Sequence, residues 1–457
     1  MTQLWTALGE APWLAAGVFM AAFLGLIGLL SAYTRWSSPQ PETVRKLLHV
    51  SSGLLTLSFP FLFSTPWPVL LLTGLSAAIL AAIKFVPLLN AYLGDVIGGN
   101  ARTTLGEIYF PVSVVVVFLW AQGQQPLLYC IPILVLTLAD ATGAIIGMRY
   151  GQHQYVGASK SLEGSVAFFV VAWFCINVPL VLWTDVHRVN ALLIASTLAM
   201  LVMLLEGSAW RGLDNLFIPI GGFFVLRIWL DLDTSALLAR FVTTGMLVAA
   251  VLLFRGTTTL QDDALLAGAF LCYVTWALAG WHWLVPPAIA FVGYAWMSPK
   301  TPENSRRIHD VPAVFAVWAV ALVWLALART AGEMRFIYPF ALVFAAHVAI
   351  FGASRMAGDF PDRPLGRLVT IAIAKSWLMV FGPFLLVEGA SSANVLLAVA
   401  AGAGISIGAW SFVRVQPAIR RTPTDLPRWV RQAACAGAGS VTGWVAMQAI
   451  DRLARGG

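Results

Sequence analysis

Charge is the scarcest commodity in this chain. Only 11% of its 457 residues are Asp, Glu, Lys or Arg, where a soluble domain carries about 25%, so an ordinary soluble fold is excluded. Cysteine is nearly absent too. Cys130, Cys175, Cys272 and Cys435 are scattered in apolar surroundings without paired spacing, which removes a disulfide framework and a zinc site and leaves small buried hydrophobes. No basic residue precedes the first apolar run, and no small-residue cleavage site follows it; residues 13–33 are expected to be an anchor rather than a signal peptide. The apolar runs lack the alternation of a membrane barrel. Clusters of basic and aromatic residues outside those runs are missing as well, so nucleic acid is not an expected partner. There is no short-period repeat and no low-complexity tract.

What is present is apolar length. The chain is 59% hydrophobic with a mean hydropathy of +0.82. Runs such as "PVLLLTGLSAAILAAIKFV" and "VFAVWAVALVWLALA" are long enough to cross about 30 Å of hydrocarbon as helices. The expected fold is all-α, a polytopic helical membrane protein of about 16 spans in two halves, 1–254 and 255–457. In the first half the spans fall near 13–33, 47–63, 67–87, 106–121, 127–148, 162–183, 190–205, 215–230 and 236–254. In the second they fall near 264–280, 283–297, 311–328, 336–353, 368–388, 393–413 and 433–449.

Sorting the first-half loops by side separates the charges. Loops 34–46, 88–105, 149–161 and 206–214 hold Arg35, Arg45, Lys46, Arg102, Arg149, Lys160 and Arg211, whereas the opposite loops hold only Arg188. By the positive-inside rule the amino terminus is expected outside and the charged loops in the cytoplasm, as in a bacterial inner membrane. The net charge of +7 fits such loops meeting anionic lipid. The same face collects the unusual polar segments: "RKLLH" (45–49), "RTTLGEIYFP" (102–111), "ADATGAIIGMRYGQHQYVGASKSLEGS" (139–165) and "EGSAWRGLDNLFIP" (206–219). Scattered solvated charges would explain the arginines and lysines. They would not explain Asp140, Glu107 and Glu206 at span edges, where ionisable groups are costly.

Asp140 and Glu163 beside Arg149 and Lys160 suit a polyphosphate with its magnesium. Mg²⁺ binds through one or two carboxylates and keeps phosphate oxygens and waters; a lysine neutralises phosphate as a point charge. Gly151 and Gly157 would let the backbone approach phosphate, and the helix starting after Lys160 would present its amides to an anion. The stretch is not a P-loop, because the spacing is wrong and it follows a membrane helix. Each residue also has a structural reading. Lys160 and Arg149 snorkel at interfaces, His49 is a hydrogen-bonded helix-end residue, and Glu206 marks a water boundary.

These segments, in this order over residues 40–230, resemble the phytol kinase, dolichol kinase and CTP-dependent diacylglycerol kinase family. The pairing of "DATGAIIG" and "KSLEGS" with "GLDN" and a following proline is the specific part. The resemblance implies phosphoryl transfer from CTP, or another nucleoside triphosphate, to the hydroxyl of a membrane lipid alcohol. On it, Asp140 and Glu163 would organise Mg²⁺, Lys160 and Arg102 would bind phosphates, and Glu206, Asp214 and Asn215 would complete the metal or alcohol-activating shell. Arg149, Gly151 and Gly157 join the phosphate set; His49, Glu107, Arg45 and Lys46 are secondary candidates. The implied partners are a phytol-like prenol, the nucleotide and membrane lipid; the oligomeric state stays open. A groove between spans would take the isoprenoid tail. Asp140 to Gly164 is also similar to cytidylyltransferases that make CDP-lipids, and that reading and a membrane transporter remain the alternatives. The second half is faintly similar to phytyl-phosphate-kinase-like proteins but lacks a second Asp–glycine–Lys–Glu arrangement. Asp262 and Asp263 are either solvated acids or ligands there, and Lys375, inside "TIAIAKSWLMVFG", has no role in a kinase.

Overall fold

The computed structural model describes residues 11–97, 104–156, 160–209, 211–297, 309–421 and 424–456, without the side chains of 295–297, 421 and 451–456. Two expected phosphate contacts, Arg102 and Gly157, lie outside the described residues. All sixteen expected spans are helical. They are α1 (Pro12–Ser37), α2 (Pro41–Thr56), α3 (Trp67–Phe85), α4 (Gly106–Ala121), α5 (Leu127–Tyr150), α6 (Leu162–Trp183), α7 (Arg188–Gly207), α8 (Asp214–Trp229), α9 (Thr234–Phe254), α10 (Asp262–Ala279), α11 (Val285–Met297), α12 (Val311–Ala331), α13 (Ile337–Asp359), α14 (Leu365–Glu388), α15 (Ser392–Val415) and α16 (Leu426–Gly456). Among the described residues eleven helices are long and apolar enough to cross a bilayer. The other five, α2, α4, α8, α11 and α16, are too short or too polar to qualify. The protein is therefore an all-α, multi-pass membrane protein, with eleven qualifying helices in place of about sixteen.

Local chemistry explains the boundaries. Proline stands in the first turn of α1, α2, α3 and α12, where its missing N–H costs nothing. Ser161, Asp310 and Ser391 cap α6, α12 and α15 by accepting backbone N–H groups of Gly164, Ala313 and Asn394. Large apolar side chains such as Leu29 and Leu386 remain exposed on helix exteriors, the pattern of a surface facing lipid rather than water.

The chain divides into two compact units, Met1–Val248 and Ala249–Gly457. In the first, α4 packs between α3 and α8, while α5 packs against α2, α6 and α8. In the second, α13 is the central helix, flanked by α12, α14, α15 and α16 and almost wholly buried. Here α15 and α16 meet backbone to backbone through Gly404 and Gly408 against Gly439 and Gly443, a small-residue seam of the kind that brings membrane helices together. A side chain at Gly404 would stand 2.5 Å from the Gly439 carbonyl oxygen. Gly404→Val is expected to destabilise the second unit by about 1–3 kcal/mol, the usual cost of overpacking, measurable as a lower unfolding midpoint in detergent.

Three sequence questions from the second half are answered by position. Lys375 lies on the exposed face of α14, where a long stem can carry its ammonium along the helix. Asp262 is buried against Arg255, whose Nε lies 3.2 Å away. Asp263 accepts from the Ala264 amide at the start of α10. Neither acid is a free loop carboxylate.

Candidate active site

The central contact joins two segments 94 residues apart. α2 carries Lys46 and His49 one turn from each other, and both face Asp140 on α5. Lys46 Nζ lies 2.5 Å from Asp140 Oδ2 and His49 Nε2 lies 3.6 Å from the same oxygen. All three are buried, at 3%, 8% and 7% exposure. His49 Nε2 is also 3.2 Å from the Leu136 carbonyl; a carbonyl only accepts, so Nε2 carries the proton. Two local features make this approach possible. Gly53 on α2 rests on Thr137, where any side chain would collide. Residues Val135–Ala139 form a turn of π-helix inside α5, a widening that recurs at functional positions.

A second cluster surrounds Lys160. Its Nζ lies 2.8 Å from Glu206 Oε1 and 3.8 Å from Asp214 Oδ2, and it donates to the Glu206 carbonyl. Burial is the largest influence on Lys160 and would lower its pKa; Glu206, Asp214 and, further off, Asp140 outweigh it and hold the ammonium above the ordinary lysine value. Asp140 therefore sits within electrostatic reach of this cluster as well as in direct contact with Lys46. Lys160 is positioned by the 151–161 loop, where Tyr155 N donates to the Lys160 carbonyl at 2.8 Å and Leu162 N to the His153 carbonyl at 3.0 Å.

Glu163 sits elsewhere in this scheme. Its carboxylate holds His153, 2.6 Å from Nδ1 and 3.2 Å from the backbone N, so it closes the loop while Asp140 is engaged by Lys46. Gly151 also has a structural use, since its bare α-carbon is pressed against the Gly147 carbonyl and Ser161. The Gly164 α-carbon is equally close to Gly143 and Gly147, which seats α6 on α5. Arg149 is exposed, its guanidinium 5.5 Å from the centre of the Tyr150 ring.

Of the secondary candidates, Lys46 and His49 belong to the first cluster, and Arg45 and Glu107 have partners of their own. Arg45 is held by Glu42 through two contacts of 2.6 and 3.1 Å. Glu107 pairs with Lys84, 3.2 Å away, and Lys84 also donates to the Thr104 carbonyl. Asn215 donates to the Gly106 carbonyl at 3.0 Å. Gly212, at φ +85°, lies so close to Gly106 that an added carbon would be 2.8 Å from its backbone; only glycine accepts that conformation and that approach. This glycine pair brings the starts of α4 and α8 together. Lys84, His153 and the Gly106–Gly212 contact were not singled out from the sequence, although each glycine lies within a quoted motif.

The acids near Lys160 bear on the implied magnesium. Among the described residues no group of three or more His, Cys, Asp or Glu side chains forms a ready metal site. Asp140, Glu206 and Asp214 are each engaged by a lysine. Such a set fits a metal that arrives already bound to phosphate and takes one or two carboxylates from the protein.

No family model and no solved structure matches the chain. It is, however, 30% identical over 218 residues to the phytol kinase of Synechocystis sp., a match spanning 47% of this chain and 90% of that protein. The second half has no counterpart in the match.

Proposed function

The chain belongs to the phytol kinase family, and from that premise we propose that its first unit transfers the γ-phosphoryl group of CTP to the hydroxyl of a prenol at the cytoplasmic interface. The observation that supports this most is the pair of lysines, Lys46 and Lys160, drawn from separate segments and both clamped by acids in the neighbourhood of Asp140. Phosphoryl transfer asks the protein mainly for positioning and charge neutralisation. Lys46 and Lys160 supply fixed positive charge for the triphosphate, with Arg102 and Arg149 as further cations. Asp140, Glu206 and Asp214 offer carboxylates to the magnesium that the nucleotide brings. In the reaction the γ-phosphorus bond to the β-bridging oxygen breaks, a bond to the alcohol oxygen forms, and the hydroxyl proton leaves to a nearby carboxylate or water. CDP and a prenyl monophosphate are the products.

Membranes holding the full chain, given CTP labelled in the γ-phosphate and a panel of prenols, should yield labelled lipid. Label released as pyrophosphate, with cytidine on the lipid, would indicate the cytidylyltransferase instead. The second unit is read as a degenerate or regulatory fused domain without phosphoryl transfer of its own. Prenyl monophosphate offered as acceptor should then remain a monophosphate; formation of a diphosphate would overturn that reading.

A further inference from the structure

The first unit contains a cleft with about 820 Å³ of empty space, open solvent at its mouth included. Its two ends differ. At one end stand Arg45 and His49 on α2, with Glu107 and Asn215 at the amino-terminal ends of α4 and α8. His49 connects this end directly to Asp140. Beyond it the lining is apolar, with Leu48, Leu55, Leu72, Leu80, Phe110 and Val114. Phe19 on α1 and Phe59, 5.3 Å apart, line the other end, with Phe63 packed on them from outside the lining at 6.0 and 5.5 Å.

Hydrogen bonding defines what the cleft accepts. At the polar end Glu107 Oε1 and Asn215 Oδ1 are buried acceptors without a partner. An orphan acceptor is costly unless a ligand supplies a donor, and a hydroxyl is such a donor. Along the body three of the four hydroxyls are already spent. Ser52 donates to the Leu48 carbonyl, Thr56 to that of Gly53 and Thr73 to that of Val69. Ser76 apart, the wall therefore keeps few donors for ester oxygens. One hydroxyl at the head and a hydrocarbon free of polar atoms behind it is the complementary ligand.

Resting on the kinase reading above, we propose that this cleft seats a single-chain isoprenoid alcohol, its hydroxyl donating to Glu107 Oε1 beside Asn215 and its tail ending at Phe19 and Phe59. From Arg45 to Thr56 the floor on α2 runs about 16 Å at 1.5 Å per residue. A hydrocarbon chain advances roughly 1.3 Å per bond of about 1.5 Å, so about twelve bonds fit before the wall. Farnesol fills that length, and geranylgeraniol or phytol presses on the rings.

Two opposite changes test the assignment in the full-length protein. Ser76, between Leu72 and Leu80 on the same wall, is small and half-buried. Ser76→Trp should raise the ratio of kcat/KM for geraniol over geranylgeraniol at least tenfold. Phe59→Ala should raise the ratio for a longer polyprenol over geranylgeraniol at least tenfold. Phe61→Ala, on the same short helix but exposed, should leave both ratios unchanged. A Ser76→Trp protein that does not fold leaves the Phe59→Ala ratio to decide. Active Phe59→Ala and Ser76→Trp proteins with wild-type ratios would overturn the cleft assignment, as would faster labelling of diacylglycerol than of any prenol. A wild-type protein that labels no alcohol would overturn the kinase reading instead.

Discussion

Asp140→Ala should abolish phosphoryl transfer and lower the stability of the first unit by about 3–5 kcal/mol, the cost of leaving one member of a buried ion pair uncompensated. The uncompensated charge would be Lys46, which is 3% exposed and has Asp140 as its ion partner. Activity loss alone would not separate a chemical role from a folding role, so the double variant Lys46→Met/Asp140→Leu decides. Apolar replacement of both members of a buried pair is often neutral or stabilising. The double variant should regain most of the unfolding midpoint in detergent and still transfer no label. Recovery of activity together with stability would reduce the pair to a structural clamp.

Lys160→Ala should lower kcat/KM for CTP on the order of 10²–10³-fold, the loss typical of one preorganised charge or donor in a transition-state site. It would also leave Glu206 and Asp214 facing each other without their shared cation. Lys160→Arg keeps the charge but not the compact shape of an ammonium, and partial activity is the expected result. The pH dependence follows from the sign of the shift. Because the folded pKa lies above the ordinary lysine value, the ammonium and its favourable contribution are complete below that value, about 10.4. They are lost only as pH rises through the raised one. A kcat/KM profile that falls near neutral pH in wild type but not in Lys160→Arg would contradict this assignment.

Much of the architecture was legible because membrane helices announce themselves locally. A continuous apolar run long enough to span has few other conformations available in lipid, and each of the sixteen runs is a helix. The count of true spans was less legible. α2 mixes "RKLLH" and "VSSGLLT", α4 and α8 are 16 residues long, and hydropathy alone joins such pieces to neighbouring apolar residues. The candidate residues were found because ionisable groups at span edges are expensive. Their partners were not, since pairing is a long-range property. Lys46 meets Asp140 across 94 residues, and Glu163, expected with Asp140 to organise magnesium, holds His153 ten residues before it. Lys84, inside an apolar run, carried no signal that Glu107 would lie beside it. Gly151 was expected to admit phosphate, and here it meets the Gly147 carbonyl and Ser161, while Gly143, Gly147 and Gly164 let α6 lie against α5.

The π-helical turn at Val135–Ala139 has an evolutionary corollary. Such a turn holds one residue more than an α-helical turn, and each residue in a helix advances the azimuth by about 100°. Loss of a single codon inside this turn would restore a regular helix and leave the carboxylate at 140 on the same face, whereas a codon gained or lost in the regular helix beside it would rotate that carboxylate by about 100°. Lineages of this family should therefore tolerate a one-residue deletion inside the turn but no insertion or deletion in the helix that flanks it.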